Sequence, residues 1–180
     1  MELQPTLTGR LLALRPLRDA DFDELYGVAA DPLIWEQHPA SDRHEAAVFR
    51  EFFRVAMESG GAFAVTDRTS GRIIGSSRYH AHDPIRREVE IGWTFLARHY
   101  WGGRYNGEMK RLMLDHAFRF VDRVLFVVGA RNVRSQRALE KLGAVPSGHG
   151  VDATLGDSVT YELTAQDWSS REPVTPGRLP

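Results

Sequence analysis

The stretch from Glu88 to Thr164 constrains the fold most, because its hydrophobic period switches repeatedly between that of a strand and that of a helix. Over 88–95, Val89, Ile91 and Trp93 alternate with Glu90, Gly92 and Thr94, the period of a half-buried strand. Trp101-Gly-Gly-Arg-Tyr-Asn-Gly107 breaks that pattern as a glycine-rich loop. Met109, Leu112, Met113, Ala117 and Phe120 then recur at helical spacing. Val124 to Val128 is an unbroken apolar run, expected as a strand buried on both faces. A helix over 132–142, stopped by Gly143, and strands over 144–150 and 158–164 complete the series. Strand, loop, helix, buried strand, helix, strand specifies a mixed α/β sheet. The loop then sits at the C-terminal end of a strand, where such sheets bind ligands.

The N-terminal part supplies the rest of the sheet and two helices. Leu11 to Leu17 reads as a first strand, 62–66 and 72–80 as two more joined by a turn at Asp67-Arg-Thr-Ser-Gly71. Asp19 caps an expected helix, and a second runs from Ser41 to Glu58 with Val48, Phe49, Phe52, Phe53 and Ala56 on one stripe. That makes about seven strands with helices on both faces. One domain is expected over 1–168, followed by a loose Pro/Ser/Gly-rich tail over 169–180. The chain has no cysteine, which removes disulfides, thiolate zinc sites and a cysteine nucleophile and fits a cytoplasmic protein. No apolar run approaches the roughly 20 residues of a membrane span, and no secretory signal opens the chain. No pair of histidines has metal spacing on one helix face, so no metal is inferred.

Charge is uneven although the net is only −1. Residues 19–67 carry eleven acids against three arginines, and residues 98–141 carry ten Lys or Arg against four acids. Such a chain can hold an anion at one end of a cleft and a cation at the other, or simply present two solvated helix faces. A nucleic-acid partner has little support, since no aromatic residues interleave the basic cluster in a stacking pattern. The glycine-rich loop opening a helix offers free backbone N–H groups at the positive end of a dipole, suited to a pyrophosphate. Neither the dinucleotide fingerprint nor the P-loop signature is present.

The stretch Tyr100-Trp-Gly-Gly-Arg-Tyr-Asn-Gly-Glu-Met-Lys-Arg-Leu-Met-Leu-Asp-His-Ala-Phe118 resembles the coenzyme A-binding motif of GNAT acyltransferases. More narrowly, it is similar to the branch related to bacterial ribosomal-protein N-terminal acetyltransferases. Glu90-Ile-Gly-Trp93, Asn132-Val-Arg-Ser135 through Gly143, Asp157 to Tyr161 with Trp168, and the opening Leu11 to Pro16 match in order, over roughly residues 8 to 168. The loop departs from the superfamily pattern: Trp101, Arg104 and Asn106 stand where Arg or Gln, Gly, and Gly or Ala are usual.

The resemblance implies acyl transfer from acetyl-CoA to an amine, with coenzyme A leaving as the thiol. It places Trp101, Gly102, Gly103, Arg104, Tyr105, Asn106 and Gly107 at the pyrophosphate, with the Arg104 side chain adding a contact or pointing to solvent. Phe95 and Leu96 would bracket the pantetheine, Asn132 would bond its amides or cap its helix, and Arg137 would lie beside the cofactor. The tyrosine that many relatives use to protonate the thiolate is replaced by Leu139, which leaves Ser135 for that role, or as an ordinary first-turn serine. Glu90 is the candidate general base, or a strand acid paired with Arg78 or Arg87; His80 and His149 are the alternatives. The acidic helices would face a cationic acceptor, a protein N-terminus or a small amine. A non-catalytic acyl-CoA sensor and a succinyl-CoA or other donor remain as alternative readings, and monomer and homodimer are equally open.

Overall fold

In the computed structural model, which describes residues 1–152 and 154–170, eight strands form one sheet. In chain order they are β1 (Leu7–Thr8), β2 (Leu12–Pro16), β3 (Ala62–Asp67), β4 (Ile73–Asp83), β5 (Glu88–Leu96), β6 (Arg123–Gly129), β7 (Val145–Asp152) and β8 (Gly156–Thr164). The helices are α1 (Phe22–Ala29), α2 (Ala46–Glu58), α3 (Arg104–Ala117), α4 (Val133–Leu142) and α5 (Ala165–Ser169). The strand order is β1-β2-β3-β4-β5-β6-β8-β7, antiparallel throughout except for β5 and β6.

Seven of these strands fall where the hydrophobic pattern puts them. The eighth, β1, has two residues and pairs only with β2, too short to carry a periodic signal. The hairpin turn forms as expected: Gly71 takes φ 72° and donates to the Asp67 carbonyl. α2 begins at Ala46 rather than Ser41, because residues before Glu45 turn across the sheet end instead of continuing the helix. β6 is not buried evenly on both faces; Val124, Phe126 and Val128 are buried, while Leu125 and Val127 are half-buried. Of the expected tail, Ser169 ends α5, and residues 171–180 lie outside the described residues.

The sheet separates two cores. On one face Met109, Met113, Leu114 and Ala117 of α3 and Leu139 of α4 pack on Leu12, Phe63, Tyr79, Val89 and Phe126. On the other, Leu25 and Ala29 of α1 and Phe49, Phe53 and Ala56 of α2 pack with Trp35, Ala64 and Phe95. Glu108 locks α3 to the sheet edge by accepting from the backbone N–H groups of Arg10, Leu11 and Leu12 at 2.7–3.0 Å. Gly75 is required by packing, since a Cβ there would lie 2.0 Å from the Phe95 carbonyl oxygen.

Candidate active site

The parallel pair is the irregular place in the sheet. Glu88, Val89 and Glu90 pair with Arg123, Val124 and Leu125, and the pairing stops there. Beyond it β5 stays bonded to β4 as far as Leu96, and β6 to β8 as far as Gly129. The two strands therefore part above Glu90 and open a wedge between them. A bulge helps to open it: Trp93 and Thr94 lie between the pairs Arg78–Gly92 and Ser76–Phe95, so two residues of β5 oppose Ser77 alone. Trp93 takes φ 51°, a strained value for a bulky side chain. Thr94 Oγ1 lies 2.8 Å from Ser77 Oγ and accepts from Lys110 Nζ at 2.6 Å.

The glycine-rich segment stands at the mouth of the wedge. Gly102 and Gly103 have φ of 103° and 106°, with nothing within 4 Å of an added Cβ, so the chain turns sharply into α3 beside open space. Helical bonding starts with Gly107 N–H to the Gly103 carbonyl. The N–H groups of Arg104, Tyr105 and Asn106 donate to no described residue and are available to an anion. Half of the expected loop is thus the first turn of the helix. Arg104 is exposed and makes no ion pair with a described residue, whereas Tyr105 donates to Asp67 Oδ1 at 3.0 Å. Trp101 Nε1 donates to the Leu96 carbonyl at 2.8 Å, and the Arg134 guanidinium stacks 4.2 Å from its ring centre. These residues fit a diphosphate at the helix start: free donors, an adjacent cation and no carboxylate among the loop side chains.

At the end of β6 the chain turns into α4. Asn132 caps the helix by accepting from Ser135 N–H at 3.2 Å, and Gln136 closes the turn by donating to the Gly129 and Ala130 carbonyls. Ser135 is half-buried, one turn before buried Leu139 and on the same face. Arg137 is exposed. Phe95 and Leu96 turn to opposite faces: Phe95 sits 5.0 Å from Trp35 among the aromatic residues, Leu96 in the α3-side core.

Glu90 lies at the apex of the wedge, half-buried, and pairs with neither Arg78 nor Arg87; it bonds no described residue. Its Oε1 leans over Gly92, 3.1 Å from where a Cβ would be, so the missing side chain makes room for the carboxylate. Burial, reinforced by Asp152 and opposed by Arg78, raises its pKa to about 7. Such a carboxylate is poised to exchange a proton at neutral pH. His80 is exposed and stacks edge-on against Trp93 at 4.9 Å, with its pKa lowered by burial and by Arg78; His149 is exposed on β7.

The match of an acetyltransferase (GNAT) domain model to residues 11–145 decides the family. The chain belongs to the GNAT acetyltransferases. It is an N-acetyltransferase by family, and the family draws its acyl group from acetyl-CoA. Among solved structures, a GCN5-related N-acetyltransferase from Brucella melitensis is similar with a TM-score of 0.81 and 22% identity, over 93% of this chain and 81% of that one. Mycobacterium smegmatis RimJ, in complex with CoA-disulfide, gives 0.68 and 20% over 91% and 87%. Spermidine N-acetyltransferase from Vibrio cholerae, in complex with CoA and spermine, gives 0.65 and 18% over 89% and 99%. At these identities the likeness is one of fold. No curated protein sequence gives a significant match.

The fold gathers Glu90, the glycine-rich turn and the start of α4 around one wedge. Three cations turn inward: Lys110, Arg43 and Arg78, the last considered from the sequence only as a partner for Glu90. Lys110 falls on the apolar stripe of α3, at the helical spacing of Met113, Leu114 and Ala117, which is the signal that betrays it. Arg78 and Arg43 are buried on the α2 side of the sheet. Asp42, Glu45, Glu51 and Glu58 of the acidic segment are exposed.

Proposed function

We propose that this enzyme transfers an acetyl group from acetyl-CoA to a primary amine, of a protein N-terminus or a small molecule, by direct attack through a tetrahedral intermediate. The observation that carries the reading is the parted β5/β6 pair, with Glu90 at its apex and the Gly102–Asn106 turn at its mouth. In this reading the free N–H groups of the α3 start hold the diphosphate, and the pantetheine runs into the wedge past Leu96 and Asn132. Glu90 accepts a proton from the amine through water. The neutral nitrogen forms the C–N bond, the C–S bond breaks, and the Ser135 hydroxyl stabilises the leaving thiolate. Leu139 is buried, which supports Ser135 over its position as the group at the sulfur.

The resemblance of the Trp101–Glu108 stretch, and the likeness of fold to RimJ, support the ribosomal-protein N-terminal acetyltransferase branch. Substituting Glu90→Gln and Ser135→Ala tests the roles. Each is expected to lower kcat by at least about tenfold while leaving the Kd for coenzyme A within a factor of about two. Wild-type turnover in both variants would remove them from the mechanism.

A further inference from the structure

The α2 side of the wedge carries two buried guanidiniums with no carboxylate of the described residues in ion-pair contact; Glu90 acts on Arg78, and Asp42 on Arg43, only from beyond that distance. Arg78, on β4, is 2% exposed, and its Nε is the one buried side-chain nitrogen or oxygen among the described residues that has no hydrogen-bond partner. Arg43, in the segment before α2, is 6% exposed. Both stack on the same Phe52 ring, with their guanidinium carbons 5.9 and 4.8 Å from its centre; Trp93 and Trp35 supply the second walls at 4.6 and 5.6 Å. Neither makes an ion pair with a described residue. The remaining polar approach of Arg43 is to His38 Nε2 at 3.1 Å; His38 Nδ1 accepts from the Ala40 N–H, and burial, helped by Arg43, lowers that imidazole to about 4, so the ring is neutral and adds no negative charge. Each guanidinium is itself driven down to about 10, chiefly by burial.

Aromatic faces offset part of the cost of burying a guanidinium, but they do not satisfy its forked N–H donors. Those donors match a carboxylate. The position is also informative. Arg78 stands directly opposite Gly92 across the β4/β5 pair, and Gly92 is the residue over which the Glu90 carboxylate leans. The segment holding Arg43 reaches over the open end of the wedge, where Pro39 Cγ comes within 2.7 Å of a Cβ built on Gly129. A proton acceptor and an anion receptor therefore sit on neighbouring strands as diagonal neighbours, a spacing of about 7–8 Å that one small molecule spans.

We infer that the acceptor is a small amine carrying its own carboxylate, an amino acid or close analogue, whose carboxylate is taken by Arg78 and Arg43 while its nitrogen faces Glu90. This rests on the acyl-transfer reading above and narrows its acceptor. A polycation such as spermidine would meet two like charges there instead of a complementary surface.

The test is thiol release from acetyl-CoA with free amino acids and β-alanine, their carboxamides, and spermidine, for the wild type, Arg78→Met and Arg43→Met. The best acid is expected to exceed its own amide in kcat/KM by about 100-fold. Either substitution should cost the acid at least about tenfold more than it costs the amide, with the acid's loss mainly in KM. Melting temperatures at or above wild type, as expected when an unpaired buried charge becomes apolar, show that the variants fold. Amides or spermidine used as well as the acids, or equal losses for acid and amide, would overturn the inference while leaving acyl transfer standing. If no amine releases thiol, acyl transfer itself fails, and calorimetry of the amino acids with the coenzyme A-bound protein decides this site: binding lost in Arg78→Met supports it, and no binding to the wild type overturns it.

Discussion

Replacing Glu90 by glutamine should make the protein more stable at pH 8 and barely change it at pH 5. Folding raises the Glu90 pKa from an ordinary 4.5 to about 7, first through burial and then through Asp152. The folded state thus penalises the ionised carboxylate. The penalty is absent below about pH 4.5, grows as pH rises between the two values, and is complete above about 7, where it reaches roughly 3 kcal/mol. Glutamine keeps the shape and cannot ionise. Urea unfolding of wild type and Glu90→Gln should give a difference under about 1 kcal/mol at pH 5 and near ~3 kcal/mol in favour of the variant at pH 8, with unchanged m values. Turnover should move the other way, with wild-type kcat/KM climbing about tenfold per pH unit below 7 and the variant losing that limb. A stability difference equal at both pH values, or a variant weaker at pH 8, would refute the reasoning that this carboxylate is held at a cost in stability.

Lys110 titrates in the opposite sense. Burial lowers its pKa from 10.5 to about 7, so its penalty is absent above about pH 10.5 and complete below about 7; Lys110→Met should gain stability at pH 6.5 relative to pH 10.5 in paired unfolding curves. Trp101→Ala removes both the bond to the Leu96 carbonyl and the stack on Arg134, and calorimetry should find coenzyme A bound about tenfold more weakly with little change in melting temperature. Asn132→Ala deletes the α4 cap and should cost about 1 kcal/mol in urea unfolding. Gly75→Ala drives a Cβ onto the Phe95 carbonyl and should cost about 3 kcal/mol, visible as a large drop in melting temperature.

Sequence legibility followed periodicity. Val89 and Ile91 alternate with Glu90 and Gly92 because β5 is regular there, and those residues are placed as expected. The alternation breaks at Trp93, where a bulge inserts a residue; nothing in a list of residue types marks a bulge, since it arises from pairing with Ser77. The glycines of the α3 start are legible as a turn with free N–H groups, but its helical first turn is not, because glycine discourages helix until the Gly103 carbonyl accepts from Gly107. Charged residues were the least legible. Eleven acids over residues 19–67 make that segment acidic in composition, yet burial decides which charges lie inside, and it is Arg43 and Arg78 that are buried. Long side chains such as these turn inward where aromatic rings receive them, a tertiary fact absent from composition.

The most direct test of the account is a thiol-release assay with acetyl-CoA and succinyl-CoA against N-terminal peptides, polyamines, amino acids and aminoglycosides. Ser135→Ala and Glu90→Gln run alongside. Release is expected to follow one acceptor class, the carboxylate-bearing amines, and to fall in both variants. Tight coenzyme A binding with no thiol release from either donor would contradict it and leave a protein that senses acyl-CoA without turning it over.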